Sequence, residues 1–297
     1  MEKHQRNYGG NGKIAKYMQA AYRYPENFSD FVYASQLLQA DGIRYGVEHY
    51  RRNRGRCMGA IYWQLNDCWP VASWASVDYE GRWKALHYYA KRFFAPVMVS
   101  CEEQNWMTAE ANMNREHFVY EKSIRLNVTN ETLEDKKVLV KWALRNADAS
   151  VVKAEEREVT VPALSSVWLD KEEYPDVDVF GQYVSYEAWE GDTCISEGSV
   201  IFSYPKYFHY LDPQLSYRIE GDEIVVSAKA YAKGVEILNL SEDLILSDNY
   251  FDMSAGEKRV KILGKASRKV EDPADWENQV KEQLADGLKL RSVYDIR

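Results

Sequence analysis

Residues 57–70 read Cys57-Met-Gly-Ala-Ile-Tyr-Trp63-Gln64-Leu-Asn66-Asp67-Cys68-Trp69-Pro70. The first seven form a short, nearly continuous apolar run, the signature of a strand buried on both faces of a parallel sheet. Trp63 then stands at the strand's end. Upstream the pattern is helical. Ser29 is expected to cap a helix running to Arg54, with Phe31, Ala34, Leu38, Gly42, Tyr45 and His49 on one face at spacings of three and four. Gly42 and Gly46 lie one turn apart and invite close approach of a second element; Gly55 closes the helix. Downstream, a loop over 64–81 leads to a second helix over 82–94, with Ala85, Leu86, Tyr89, Ala90 and Phe93 as its stripe. Pro96 ends it. Helix, buried strand, loop, helix is a repeat and a half of an α/β barrel, too little to close one.

After Pro96 the period falls to two. Ile124, Leu126 and Val128 alternate with polar residues, as do Val138, Val140, Trp142 and Leu144, and short runs follow at 158–161, 167–169, 183–189 and 198–202. The pattern predicts an antiparallel sandwich of immunoglobulin type. An aromatic stretch with two prolines, 205–213, connects it to further alternating runs at 215–219, 224–228, 235–238, 244–246 and 259–262. These predict a second, smaller sandwich. A short helix or loop is expected over 273–285 and a last strand over 288–293. The division is therefore 1–96, the end of an α/β barrel, then 97–204 and 205–297, two immunoglobulin-like sandwiches.

Composition narrows the function classes. Of 297 residues, 45% are hydrophobic and 28% charged, the balance of a folded globular chain. The net charge of −8 argues against a phosphate-binding face, so no nucleic-acid partner is expected. No apolar run approaches the roughly 18 residues of a membrane span, so no membrane partner is expected either. The four cysteines form no CxxC pair and the histidines are scattered. The reading is free, buried thiols, with no metal and no cofactor.

Four of the nine tryptophans, Trp63, Trp69, Trp74 and Trp83, fall between positions 63 and 83. A sugar presents C–H faces and hydroxyl edges, so its site needs flat aromatic platforms beside amides and carboxylates. Trp63 is read as the platform, with Gln64, Asn66 and Asp67 as hydrogen-bonding neighbours and Trp69 walling the loop. Asn66 and Asp67 could equally hold the loop through local hydrogen bonds. Trp74 and Trp83 are read as packing residues.

The motif Trp63-Gln-Leu-Asn-Asp-Cys-Trp-Pro70, followed by Ser73-Trp-Ala-Ser-Val-Asp-Tyr79 and Gly81-Arg-Trp-Lys-Ala-Leu-His-Tyr-Tyr-Ala-Lys-Arg92, is similar to glycoside hydrolase family 2 enzymes of the β-mannosidase type. Phe31-Val-Tyr-Ala-Ser-Gln-Leu-Leu-Gln-Ala40 resembles a late barrel helix of that family, and Leu246-Ser-Asp-Asn-Tyr-Phe-Asp252 resembles its terminal immunoglobulin-like domain. The resemblance implies a retaining exo-enzyme that removes terminal β-D-mannose from a glycan. It also implies two catalytic glutamates on earlier barrel strands. No residue here matches either, so no catalytic residue is named and the isolated chain is expected to be inactive. Trp63, Gln64, Asn66, Asp67 and Trp69 carry over as one edge of the sugar site. Alternatives are another family 2 enzyme, such as an exo-β-glucosaminidase or a β-galactosidase-like protein, and a non-catalytic carbohydrate-binding or packing module. A barrel remnant also leaves apolar surface uncovered, which predicts self-association through 12–63 with both sandwiches projecting outward.

Overall fold

The structure is a computed structural model and describes residues 2–5, 7–108, 119–239, 244–266 and 287–296; the segment 273–285 lies outside the described residues. Three helices come first: α1 (Gly10–Ala21), α2 (Phe28–Arg52) and α3 (Ala85–Phe93). Asn27, not Ser29, caps α2. Its backbone is extended and its Oδ1 accepts the Asp30 N–H at 2.9 Å. Ser29 lies inside the first turn, where its hydroxyl accepts from Arg291.

The buried face of α2 is rotated from the expected stripe. Tyr33, Leu37, Ala40, Asp41, Val47, Glu48, Arg51 and Arg52 are buried, whereas Gly42 and His49 are exposed. A hydrophobic pattern assigns Asp41, Glu48, Arg51 and Arg52 to solvent, yet each finds a polar partner inside. Arg51 donates to the Phe93 and Ala95 carbonyls, and Tyr22 donates to Asp41 at 2.6 Å. Gly42 and Gly46 face open space. The close approach comes elsewhere, at Gly234, where a Cβ would stand 2.9 Å from a Leu37 methyl carbon.

The expected strand over 57–63 is not formed. Met58, Ile61 and Trp63 are exposed, and the paired backbone lies just downstream, where Ser76 N–H donates to Gln64 O and Val77 N–H to Leu65 O. A strand needs flanking strands to satisfy its backbone groups. Among the described residues none flanks 57–63.

From Val97 the chain is antiparallel β. β1 (Val97–Glu102), β2 (Ser123–Asn130) and β5 (Ser165–Glu173) form one sheet in the order β1-β2-β5. β3 (Lys136–Asn146), β4 (Val151–Val161), β6 (Gln182–Glu190) and β7 (Thr193–Ile201) form the other, ordered β4-β3-β6-β7. The alternating residues Ile124, Leu126, Val128, Val138, Val140 and Trp142 fill the space between them.

The second sandwich stacks β8 (Ser216–Glu220), β9 (Glu223–Ala228), β11 (Leu244–Leu246) and β13 (Gly256–Lys265) over β10 (Ala232–Asn239), β12 (Phe251–Met253) and β14 (Leu288–Arg291). Its core is continuous with that of the helices. Met18, Tyr33, Leu37, Leu86 and Phe93 join Val226, Val235, Ile237, Phe251 and Val260 in one cluster. The first sandwich keeps its own. The aromatic connector seals the joint between the sandwiches, with Tyr183 stacked on Tyr231 at 3.8 Å and Phe208 edge-on to Tyr231.

No helix among the described residues is long and apolar enough to cross a membrane. The cysteines are free as expected, but only Cys101 is buried. Cys68 and Cys194 are exposed because they lie on a loop and at a sheet edge.

Candidate functional site

The loop between residues 63 and 84 folds back on itself through three short backbone pairings: Asn66 with Val77, Val77 with Trp83, and Ala72 with Gln5. These hold the sequence-predicted residues together at one end of the helical layer. Trp63 is 70% exposed and begins the loop with a cis peptide to Gln64. Gln64 Nε2 donates to Asn66 O at 2.9 Å, and Asn66 Nδ2 reaches Asp67 O at 3.3 Å. Both amides thus bond within the loop that follows Trp63.

Asp67 is different. It is buried, and its carboxylate accepts from Ser73 Oγ at 2.5 Å and Lys84 Nζ at 3.0 Å. A carboxylate so placed ties the two limbs of the loop together. Asp78 is engaged too, its Oδ1 accepting the N–H groups of Glu80 and Arg82 in the turn before α3. Trp69 stacks on His4 with ring centroids 5.8 Å apart, and His4 Nδ1 bonds Pro70 O at 2.7 Å. Trp83 packs against His87 and Tyr88. Trp74 is partly exposed and receives a hydrogen bond from Gln39 at its carbonyl.

A cleft of about 650 Å³ opens between α1, α2 and the loop, lined by Ile14, Phe28, Val32, Leu38, Val71 and Trp74 among others. Trp63, Gln64 and Asn66 are not part of its wall. Among the described residues no group of three histidine, cysteine or acidic side chains is arranged to hold a metal ion.

Four residues that sequence reasoning passed over carry the loop's internal bonding: Tyr62, Ser76, Lys84 and His87. Ser76 Oγ lies 2.9 Å from Tyr62 OH, 2.9 Å from Leu65 O and 3.3 Å from His87 Nδ1. Burial holds the His87 imidazole below its ordinary value. A serine beside a histidine suggests a nucleophile and its base, but Ser76 is fully buried and cannot meet a substrate.

The comparisons with known proteins point to one family. Residues 122–207 match the mannosidase Ig/CBM-like domain family, and residues 210–296 match the Ig-fold domain family of mannosidases. A β-mannosidase of Rattus norvegicus is 41% identical over 109 residues, 32% of this chain and 12% of that protein. The chain thus carries two mannosidase-type Ig-fold domains and is similar to the C-terminal portion of β-mannosidases of glycoside hydrolase family 2. β-Mannosidase A of Neosartorya fischeri is 40% identical over 100 residues, 31% of this chain and 11% of that protein. The matched stretches thus span about an eighth of those family members. The crystal structure of a β-D-mannosidase from Dictyoglomus thermophilum superposes over 98% of this chain and 33% of its own, with a TM-score of 0.78 and 23% identity. An exo-chitosanase from Amycolatopsis orientalis covers 82% of this chain with a TM-score of 0.59 and 15% identity. At those identities the likeness establishes the fold: two immunoglobulin-like sandwiches and a small helical layer.

Proposed function

We propose that this chain is part of a retaining, exo-acting β-mannosidase, and that the 63–69 loop forms one edge of the site for a terminal β-D-mannose. The observation that carries this reading is the exposed Trp63 indole, followed directly in the loop by Gln64 and Asn66. An indole face offers the apolar contact that a pyranose C–H face needs, and the amides meet its hydroxyls. Retaining chemistry requires two carboxyls about 5–5.5 Å apart. Asp67 and Asp78 are both engaged in local structure, and the resemblance implies a pair of glutamates on earlier barrel strands that no residue here matches. Asp67 enters the reading as the residue that shapes the loop, and Trp69 as its wall against His4.

The alternative of a sugar-binding sandwich face finds less support. Trp106 and Tyr250 are buried, and Trp168 and Trp189 lie under Arg125 and Lys141. The division at 96/97 and 204/205 belongs to the same proposal, although the helices share their core with 205–297.

Titration with methyl β-D-mannoside tests the site. The indole resonance of Trp63 should shift with sugar, and Trp63→Phe should remove the response. The chain alone should not hydrolyse p-nitrophenyl β-D-mannoside above background. Turnover abolished by one Glu→Gln change within residues 1–297 would overturn the assignment of the carboxyl pair.

Self-association through 12–63 belongs to the same proposal. Phe28 is 65% and Ile61 98% exposed, and burying one such side chain fully is worth about 1.5–3 kcal/mol. Sedimentation velocity should show a concentration-dependent dimer that the double change Phe28→Ser, Ile61→Ser weakens at least tenfold. A monomer at high micromolar concentration would refute it.

A further inference from the structure

We infer that Ser76 is a positioning residue for Trp63, holding the Tyr62 side chain before the indole and the Leu65 carbonyl after it through one buried hydroxyl. The inference rests on the sugar-edge reading of Trp63 and supplies what holds that edge in place. Trp63 is largely in solvent, so packing alone does not define where its ring points. The residues around it are defined. Ser76 N–H donates to Gln64 O at 3.0 Å, and Ser76 Oγ donates to Leu65 O at 2.9 Å. Tyr62 OH meets the same oxygen at 2.9 Å, from the residue preceding Trp63.

A hydroxyl has one proton and two lone pairs. With the proton committed to Leu65 O, Tyr62 OH donates into one lone pair. His87 donates into the other through Nδ1–H at 3.3 Å, which assigns the imidazole its Nδ1-protonated tautomer. Every bonding position of the oxygen is then filled. Ser76 is fully buried, so water does not compete for these bonds. One side chain therefore ties positions 62 and 65 to α3, which carries His87, while the N–H of the same residue holds position 64. A ring that must present a flat face to a sugar gains from such support, because a small rotation of its backbone swings the platform away.

The test uses the chain labelled with 15N at its tryptophan indoles. Trp63→Phe identifies the Trp63 signal, expected as a single narrow peak in the parent protein. Ser76→Ala should split, broaden or shift the Trp63 and Trp83 signals while those of Trp106 and Trp142 stay in place. Ser76→Thr, which keeps the hydroxyl, should return Trp63 to one peak. Tyr62→Phe removes one of the three hydroxyl contacts with little change of volume, and should produce a smaller change of the same kind; it decides the matter if Ser76→Ala does not fold. A Trp63 signal of parental position and width in both Ser76→Ala and Tyr62→Phe would overturn the inference. So would displacement of all the indole signals together, which marks a merely structural serine. Methyl β-D-mannoside added to the parent protein reports separately on the sugar reading. A Trp63 signal that ignores the sugar counts against that reading, and the Ser76 comparison still decides the positioning role.

Discussion

Single residues divide by whether their partners are near in sequence. The turn built on Asp78 bonds within a few positions, so residue type goes far towards revealing it, whereas the cap of α2 was placed on Ser29 because it and Asn27 are both capping residue types. Asp67 could not be read that way. It looked equally suited to bind a ligand or to hold the loop, and the partner that engages it, Lys84, stands seventeen positions on. Removing one member of a buried ion pair strands the other charge, at a cost of about 3 kcal/mol or more. Lys84→Met should therefore lower the unfolding free energy by about 3 kcal/mol in urea titrations, more than Lys91→Met, whose ammonium is exposed. Glu103 makes the opposite kind of prediction. Burial raises its carboxyl to about 7, although the Asn105 and Met107 N–H groups and the nearby Arg44 and Arg52 favour the ionised form. The folded state thus holds a proton that the unfolded chain releases near its ordinary 4.5. Stability from this group is present below about pH 4.5 and is lost as pH rises towards 7. Glu103→Gln, although it gives up one of the two acceptors for the Asn105 and Met107 N–H groups, should flatten that decline between pH 4.5 and 7 in denaturant titrations.

At the scale of elements, periodicity located the strands well. The alternation through 124–128, 138–144 and 183–189 survives in β2, β3 and β6, because an exposed face and a buried face leave a two-residue trace in the sequence. β1 was passed over because it is buried along almost its whole length and does not alternate, and β12 because its three residues follow a polar stretch. α2 was found as a helix whose stripe is inward at Phe31, Ala34 and Leu38 but rotates away by Gly42 and His49, since its docking surface includes charged residues that pair on burial. What that face meets is β10. Tyr33 OH donates to Gly234 O at 2.6 Å, and Gly234 has a φ of +66°. An alanine there would be strained by its backbone and would press on Leu37 and Tyr33. The left-handed conformation costs roughly 1–2 kcal/mol and overpacking typically about 1–3. Gly234→Ala should accordingly lose about 2–4 kcal/mol of stability and speed amide exchange first in α2. Gly221→Ala, with a similar φ but open space around it, should lose only the backbone part.

At the scale of the whole molecule, the helices and the last sandwich share a core although some 200 residues separate Tyr33 from its partner Gly234. No pattern local to either segment records that. The joint where all three parts meet is polar and centres on Asp252 in β12. Its carboxylate accepts from Ser199 Oγ in β7 at 2.6 Å and from Gly234 N–H in β10 at 2.8 Å, and pairs with Lys233 at 3.4 Å. Arg44 of α2 lines the same small cavity. Burial by itself would raise the Asp252 carboxyl, but Lys233, the Ser199 hydroxyl, the Gly234 N–H and Arg44 together hold it below the ordinary 3.8. A depressed carboxyl stabilises the fold at any pH above its unfolded value, and that stabilisation disappears as pH falls through the folded one. Acid should thus loosen the joint below about pH 4. Asp252→Asn keeps one oxygen to accept from the Gly234 N–H, but puts an amide NH2 where the other oxygen met Ser199, and leaves the Lys233 ammonium buried beside a neutral group. The variant should be less stable by about 3 kcal/mol at pH 7, with a smaller deficit at a pH acid enough to protonate the parent's folded carboxylate. Calorimetry should also separate one transition into two, since the first sandwich retains its own core when the joint fails. A variant whose deficit is the same at both pH values would show that the charge of Asp252 does not hold the three parts together.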